Sequence, residues 1–160
     1  FPDPSALSLG PFLALTVQAN SLNWGMNTLD KWPRADYIVT DEAELRLAWR
    51  DDCTGLQELV VRSHERWHTR VMAVTRGHQG CMVYDGEGFA EAPVLTETIV
   101  DRMGAGDAFL AYTAPLAYLG ASRDVLALVG NVAGALKVAT MGNEAVDAAK
   151  VRRWILSLLK

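Results

Sequence analysis

One stretch constrains this chain more than any other: Asp101-Arg102-Met103-Gly104-Ala105-Gly106-Asp107-Ala108-Phe109. Two glycines bracket an alanine, an aspartate follows at once, and an almost unbroken apolar run over 108–119 reads as a buried helix whose apolar residues cover every side. Glycine admits positive φ and lets the backbone approach a ligand closely. A helix start offers unpaired N–H groups and a partial positive charge, so it can hold an anion. Asp107 falls in the first helical turn, aimed at whatever those amides hold. The expectation is an anion cradle with a carboxylate base beside it. That pairing suits phosphoryl transfer to a hydroxyl: amides stabilise developing charge while the carboxylate takes the proton.

The chain has 160 residues, half of them hydrophobic, with a net charge of -4. That is enough for a single α/β domain over 1–160 with its own core. The absence of a long basic run argues against nucleic acid as a partner. Cys53 and Cys81 lack metal-type spacing and suit a reducing, cytoplasmic setting. No apolar run reaches membrane-spanning length, and Phe1-Pro2-Asp3-Pro4 does not open a signal peptide.

Residues 1–11 read as a loop, and short apolar runs at 12–17, 37–39 and 71–74 read as buried strands. Gln18-Ala19-Asn20-Ser21-Leu22-Asn23 is polar and sits at the end of the first strand, where open parallel sheets hold ligands. Thr40 or Asp41 caps a helix through Arg50, and Asp52 or Thr54 starts another that runs to about His68. Residues 81–84 and 89–91 form a hairpin around Asp85-Gly86-Glu87-Gly88, and 93–100 is extended. Pro115 should kink the helix after the glycine loop. A further helix from Ser122 or Arg123 to about Thr140 places Gly130 and Gly134 on one face for close packing, with Gly142 as its C-terminal cap. Asp147 caps a last helix with Val151, Trp154, Ile155 and Leu158 inward.

Three motifs in order carry a resemblance. Asp41-Glu42-Ala43-Glu44 is similar to an N-x-x-E motif with Asp in place of Asn; Thr75-Arg76-Gly77-His78-Gln79-Gly80 follows a strand as T-x-G-x-x-G; and 101–107 reads D-x-x-GAGD. Together they resemble the ribokinase-like, PfkB-type carbohydrate kinases. The resemblance implies a three-layer α/β/α fold with a mostly parallel sheet and ATP-dependent phosphorylation of a sugar or sugar-phosphate hydroxyl. It implies Asp107 as catalytic base, with Gly104, Ala105 and Gly106 as anion hole. Thr75, Gly77 and Gly80 would approach the nucleotide phosphates, and Asn131, Gly134 and Ala145 would wall the adenine. Glu44 and Asp41 would organise Mg²⁺. ATP and Mg²⁺ are the implied cofactors, with a monovalent cation as a further candidate and a homodimer for the full-length protein. Family members are roughly twice this long. The chain, which begins with Phe, therefore matches their C-terminal half and lacks most sugar contacts. Val17 to Asn27 is also similar to relatives of heptose-phosphate kinases, some fused to nucleotidyltransferases.

Two other readings are open. One is a non-catalytic nucleotide-binding module that keeps the kinase fold, which suits an isolated half. The other is a zinc hydrolase built on His64-Glu65-Arg66-Trp67-His68, a formal H-E-x-x-H. Arg62, Arg66 and Arg70 crowd that motif and disfavour a dication. A surface pair of histidines is the plainer account.

Overall fold

Alternation of side chains across a pleated sheet organises the molecule, described by a computed structural model over residues 11–19, 25–96, 100–142 and 144–158. The strands are β1 (Ala14–Thr16), β2 (Tyr37–Asp41), β3 (Val71–Thr75), β4 (Cys81–Tyr84) and β5 (Phe89–Ala92), lying side by side in chain order. β1, β2 and β3 run parallel; β4 is antiparallel to both β3 and β5, its pairing with β5 being the expected hairpin. The sheet is therefore mixed, and parallel through the half that faces the glycine loop.

Successive residues go to opposite faces. Leu15, Ile38, Met72, Val74 and Met82 pack beneath α1 (Glu42–Trp49) and α2 (Leu56–Arg66), against Leu45, Leu59, Val60 and Trp67. Tyr37, Val39, Ala73, Cys81 and Val83 pack on the other face against α3 (Ala105–Tyr118) and α4 (Arg123–Val138), through Phe109, Ala117, Leu126 and Ala127. α5 (Ala148–Leu158) lies against α4. The result is a three-layer α/β/α arrangement.

Local chemistry sets the helix ends. Asp41 starts α1 with a reciprocal capping box: its carboxylate accepts the Glu44 amide at 2.7 Å, and the Glu44 carboxylate accepts the Asp41 amide at 3.0 Å. Ser122 caps α4 through the Val125 amide, and Asp147 caps the first turn of α5. α2 begins after Gly55, later than expected, because Asp51 takes the amides of Cys53 and Thr54 and the Thr54 hydroxyl into a turn of its own. Gly142 has φ +72°, but α4 has already closed at Ala139, so this glycine bends the following loop rather than capping the helix. Leu158 is exposed, leaving Val151 as the buried anchor of α5.

α3 corrects a larger expectation. Phe109, Thr113 and Ala117 are buried, but Tyr118 is 64% and Leu119 77% exposed. An all-round apolar composition counts residues that favour burial; it does not count the neighbours present to bury them. Among the described residues, α3 packs against α4 and the sheet with one face only. Its position is set by two contacts. The buried Tyr37 hydroxyl donates to Thr113 Oγ1 at 2.8 Å, and Thr113 Oγ1 donates to the Phe109 carbonyl at 2.7 Å. The tip of the Phe109 ring also abuts Gly130, where an added Cβ would stand 2.3 Å from Cζ.

The hairpin is fastened to α4 by Asp85, which accepts the amides of Glu87 and Gly88 and pairs with Arg123 at 2.8 Å. Burial works against ionisation of Asp85, but the Glu87 amide, Arg123 and the Gly88 amide outweigh it and hold its carboxyl below the usual range.

Substitution at the two α4 glycines should act in opposite directions. Gly130→Ala overpacks the buried Phe109 ring and should cost about 1–3 kcal/mol. Gly134→Ala meets only the Ala105 carbonyl at 3.8 Å and should stabilise by up to ~1 kcal/mol through helix propensity. Urea denaturation of both variants measures this. Asp85→Asn should cost on the order of 1 kcal/mol at neutral pH, allowing for solvent screening of a part-exposed pair. The ionised form is the one favoured by folding. The deficit should therefore persist above an unfolded carboxyl pKa of about 3.9 and close as the pH falls through the lower folded value. Denaturation of wild type and variant across that range reads it directly.

Candidate active site

The C-terminal ends of β1, β2 and β3 open into a cleft of about 880 Å³, within the range of small-molecule sites. Thr16 and Gln18 line it from the end of β1, Thr40 and Asp41 from β2, and Thr75 from β3. The opposite wall is the start of α3, from Arg102 to Asp107, with Gly130, Asn131 and Gly134 of α4.

Gly104 stands at the N-cap of α3 with φ +76°, and no side chain caps the helix. The first intrahelical bond runs from the Ala108 amide to the Gly104 carbonyl at 2.9 Å. The amides of Ala105, Gly106 and Asp107 precede it, so they have no partner within the helix. They front a cleft rather than a packed surface, as an anion hole requires. Asp107 lines the same cleft with an exposed side chain that carries no hydrogen bond or ion pair among the described residues. A carboxylate with that freedom can serve as a base.

The loop reaching Gly104 is held from behind. Val138, near the end of α4, accepts the amides of Val100 and Asp101 at 2.7 and 3.0 Å. Asp101 accepts the Met103 amide at 2.9 Å and the Gly142 amide at 3.3 Å, so the first aspartate of the motif shapes the turn. Gly80, at φ +82°, has no room for a side chain: a Cβ there would lie 1.9 Å from the Ala92 carbonyl oxygen. Gly77, at φ +55°, has open space at its Cβ position and lines the cleft with Thr75 and Gly80.

Glu44 is a bracket. Its two oxygens accept the Ala19 amide at 2.9 Å, the Thr40 hydroxyl at 3.2 Å and the Asp41 amide at 3.0 Å, joining the ends of β1 and β2 to α1. Burial raises its pKa, opposed by the amides of Asp41 and Ala19. Asp41 spends one oxygen on its cap and remains exposed. Among the described residues no group of three or more His, Cys, Asp or Glu forms a metal cage. Asp41 keeps one oxygen that can reach Mg²⁺ through water, an ion that retains several waters and shares its coordination with phosphate, whereas both oxygens of Glu44 are engaged in the bracket.

Of the residues expected at the site, the cleft gathers Asp41, Glu44, Thr75, Gly77, Gly80, Gly104, Ala105, Gly106, Asp107, Asn131 and Gly134. Ala145 is exposed and is not among the residues lining the cleft; the carbonyls on either side of it, Glu144 and Val146, accept Lys137 Nζ and the Tyr112 hydroxyl. Asn131 also donates to the Pro93 carbonyl, tethering the segment after β5. Asn20 to Trp24 lie outside the described residues, as do 1–10 and 97–99. Sequence reasoning missed three participants. His78 lines the cleft. Cys81 also lines it, its thiol pushed up to about 11 by burial. Lys137 is 6% exposed behind the Gly104 loop. No spacing rule marks any of these; each is brought there by a neighbouring element.

The zinc arrangement does not form. α2 ends at Arg66, and His68 follows with φ +51°, exposed and off the helix. His64 is half-buried, its Nδ1 3.1 Å from Thr69 Oγ1 and its ring edge-on to Tyr84 at 5.1 Å. Burial lowers its pKa. The two rings therefore do not share a helix face, and His64 is a packing residue.

The family model described as pfkB family carbohydrate kinase matches residues 16–149. A cytidine kinase of Thermococcus kodakarensis is 44% identical over 80 residues, 48% of this chain and 27% of its own length. The bifunctional protein HldE of Bradyrhizobium diazoefficiens is 28% identical over 144 residues, 88% of this chain and 28% of its own. Among solved structures, phosphofructokinase-2 of Escherichia coli in complex with substrates and products superposes with TM-score 0.79 and 15% identity, over 98% of this chain and 50% of that one. The chain thus spans between about a quarter and a half of these relatives.

Gly104→Ala should strain the loop twice, through its positive φ and through a Cβ 2.9 Å from Lys137 Cε, lowering both melting temperature and nucleotide affinity. Gly106→Ala meets nothing within 4 Å. It should leave melting temperature unchanged and weaken nucleotide binding alone. Thermal melts with calorimetric titration separate the two.

Proposed function

The chain belongs to the pfkB family of carbohydrate kinases, and on that premise we propose that it is the nucleotide-binding and catalytic half of an ATP-dependent kinase acting on a sugar or sugar-phosphate hydroxyl. The observation that carries this reading is the uncapped start of α3, opening with Asp107 into the cleft at the strand ends.

Asp107 takes the proton of the acceptor hydroxyl. The oxygen attacks the terminal phosphorus in line, the bond to the bridging oxygen breaks, and ADP leaves with the electron pair. The amides of Ala105, Gly106 and Asp107 stabilise the charge on the transferring group. Gly104 turns the chain into that position. The loop from Thr75 to Gly80 bears on the phosphates of the nucleotide, and Asn131 and Gly134 border its base. Asp41 would hold Mg²⁺ through water, with Glu44 fixing the loop ends around it rather than ligating; when bound, that ion supplies neutralising charge at the phosphates.

The resemblance of Val17 to Asn27 to heptose-phosphate kinases supports a sugar phosphate as acceptor. The two free cysteines fit a cytoplasmic setting.

Asp107→Asn in the intact protein should lower phosphoryl transfer about 10²–10⁴-fold while nucleotide binding and melting temperature persist. Coupled ADP-release assays with a panel of sugars and sugar phosphates measure it. Turnover equal to wild type would remove Asp107 as the base. Nucleotide binding without transfer by the wild-type protein would favour a non-catalytic module.

A further inference from the structure

Lys137 is a buried cation with no anion. It is 6% exposed, and its Nζ donates to two backbone carbonyls, Gly142 at 2.7 Å and Glu144 at 2.9 Å. Among the described residues it forms no ion pair with a carboxylate. Neutral oxygens solvate an ammonium without cancelling its charge. A buried charge left in that state is costly unless something nearby uses it. The bland account is a lysine in the last turn of α4 that answers the helix dipole. That account leaves its reach unexplained. The stem runs under the anion-hole loop, so that a Cβ on Gly104 would lie 2.9 Å from Cε and 3.9 Å from Nζ. The charge therefore sits beside Gly104, the residue that turns the chain into the amides fronting the cleft.

We propose that the Lys137 ammonium is a built-in monovalent cation. It fills the carbonyl cradle of Gly142 and Glu144 and supplies to the Gly104–Asp107 anion hole the positive charge that a free alkali ion would otherwise bring. Convergent carbonyl oxygens are the ligands a hard cation takes, and here a side chain already holds them. The alkali ion named as a candidate cofactor thus does not fit at this cradle. Lys137 is a positioning residue: it touches no reacting atom and acts through the loop. The inference rests on the phosphoryl-transfer reading above, and its test separates the two.

The intact protein is assayed and melted in potassium chloride and in tetramethylammonium chloride at equal ionic strength. Wild type should turn over equally in both salts and melt at the same temperature. Lys137→Ala should lose roughly ten- to a hundred-fold in kcat, with KM for nucleotide changed far less. Potassium or ammonium ions, but not tetramethylammonium, should restore part of that kcat and raise the variant's melting temperature through binding to the vacated carbonyls. A wild type specifically activated or stabilised by potassium overturns the proposal. So does a variant with undiminished kcat, or a loss that no small cation rescues. If Lys137→Ala does not fold, the wild-type salt comparison still decides, with Lys137→Met as the second variant. Absence of any phosphoryl transfer in wild type would count against the kinase reading instead, and the melting comparison would then judge Lys137 alone.

Discussion

The site depends on a ring seated on a bare backbone. Phe109 presses against Gly130 at a distance that admits no side chain. Tyr37, through Thr113, ties the same helix to the second strand. These two contacts place α3 against both α4 and the sheet. With the helix so held, its first turn lies at the ends of the parallel strands, and its three amides, which have no partner within the helix, share one cleft with residues at the ends of β1, β2 and β3. A shift of one helical residue would rotate Asp107 by about 100° and take it out of register with that cleft. Packing on one side of the helix therefore decides chemistry at its tip.

Charge is distributed with similar economy. Carboxylates gather on one side of the cleft, at Asp41 and Glu44, and each is partly neutralised by backbone amides. Positive potential lies on the other side, from the start of α3 and from Lys137 behind it. The proposed kinase reading draws on both walls, the carboxylate side for a divalent cation and the amide side for a transferring group. The loops that build both walls are tied back by hydrogen bonds to the helix that follows or precedes them, as Val138 does for Val100 and Asp101. Such walls need little rearrangement when charge develops, which is where electrostatic catalysis gains most.

Much of this was legible in the chain before any coordinates. Short apolar runs with glycine and polar punctuation marked all five strands, and the hairpin was placed to within a residue. Asp41, Ser122 and Asp147 announced helix starts because capping is a local bond between neighbours in sequence. The glycine pair of α4 signalled a close approach, though not that Phe109 would be the partner. Expectations failed where the deciding neighbour was distant. The H-E-x-x-H of α2 looked like a ligand pair only while the helix was assumed to continue; it ends two residues short of His68. Ala145 was placed at the cleft by resemblance, and it is exposed and outside the cleft lining. α3 was read as wholly buried from composition that says nothing of how many layers lie outside it.

The sequence by itself determined the local grammar: strand and helix order, the turn that only glycine permits before α3, and an aspartate one turn into an apolar helix. Those follow from steric limits and hydrogen bonds spanning a few residues. Tertiary structure alone decided that Glu44 would be consumed holding loop ends, that Asp107 would stand free in an open cleft, and that Lys137 would be buried behind the glycine loop. Each of those outcomes is a contact between segments far apart in the chain. Its energy depends on what else fills the space around it, and that is settled only when the layers close on one another.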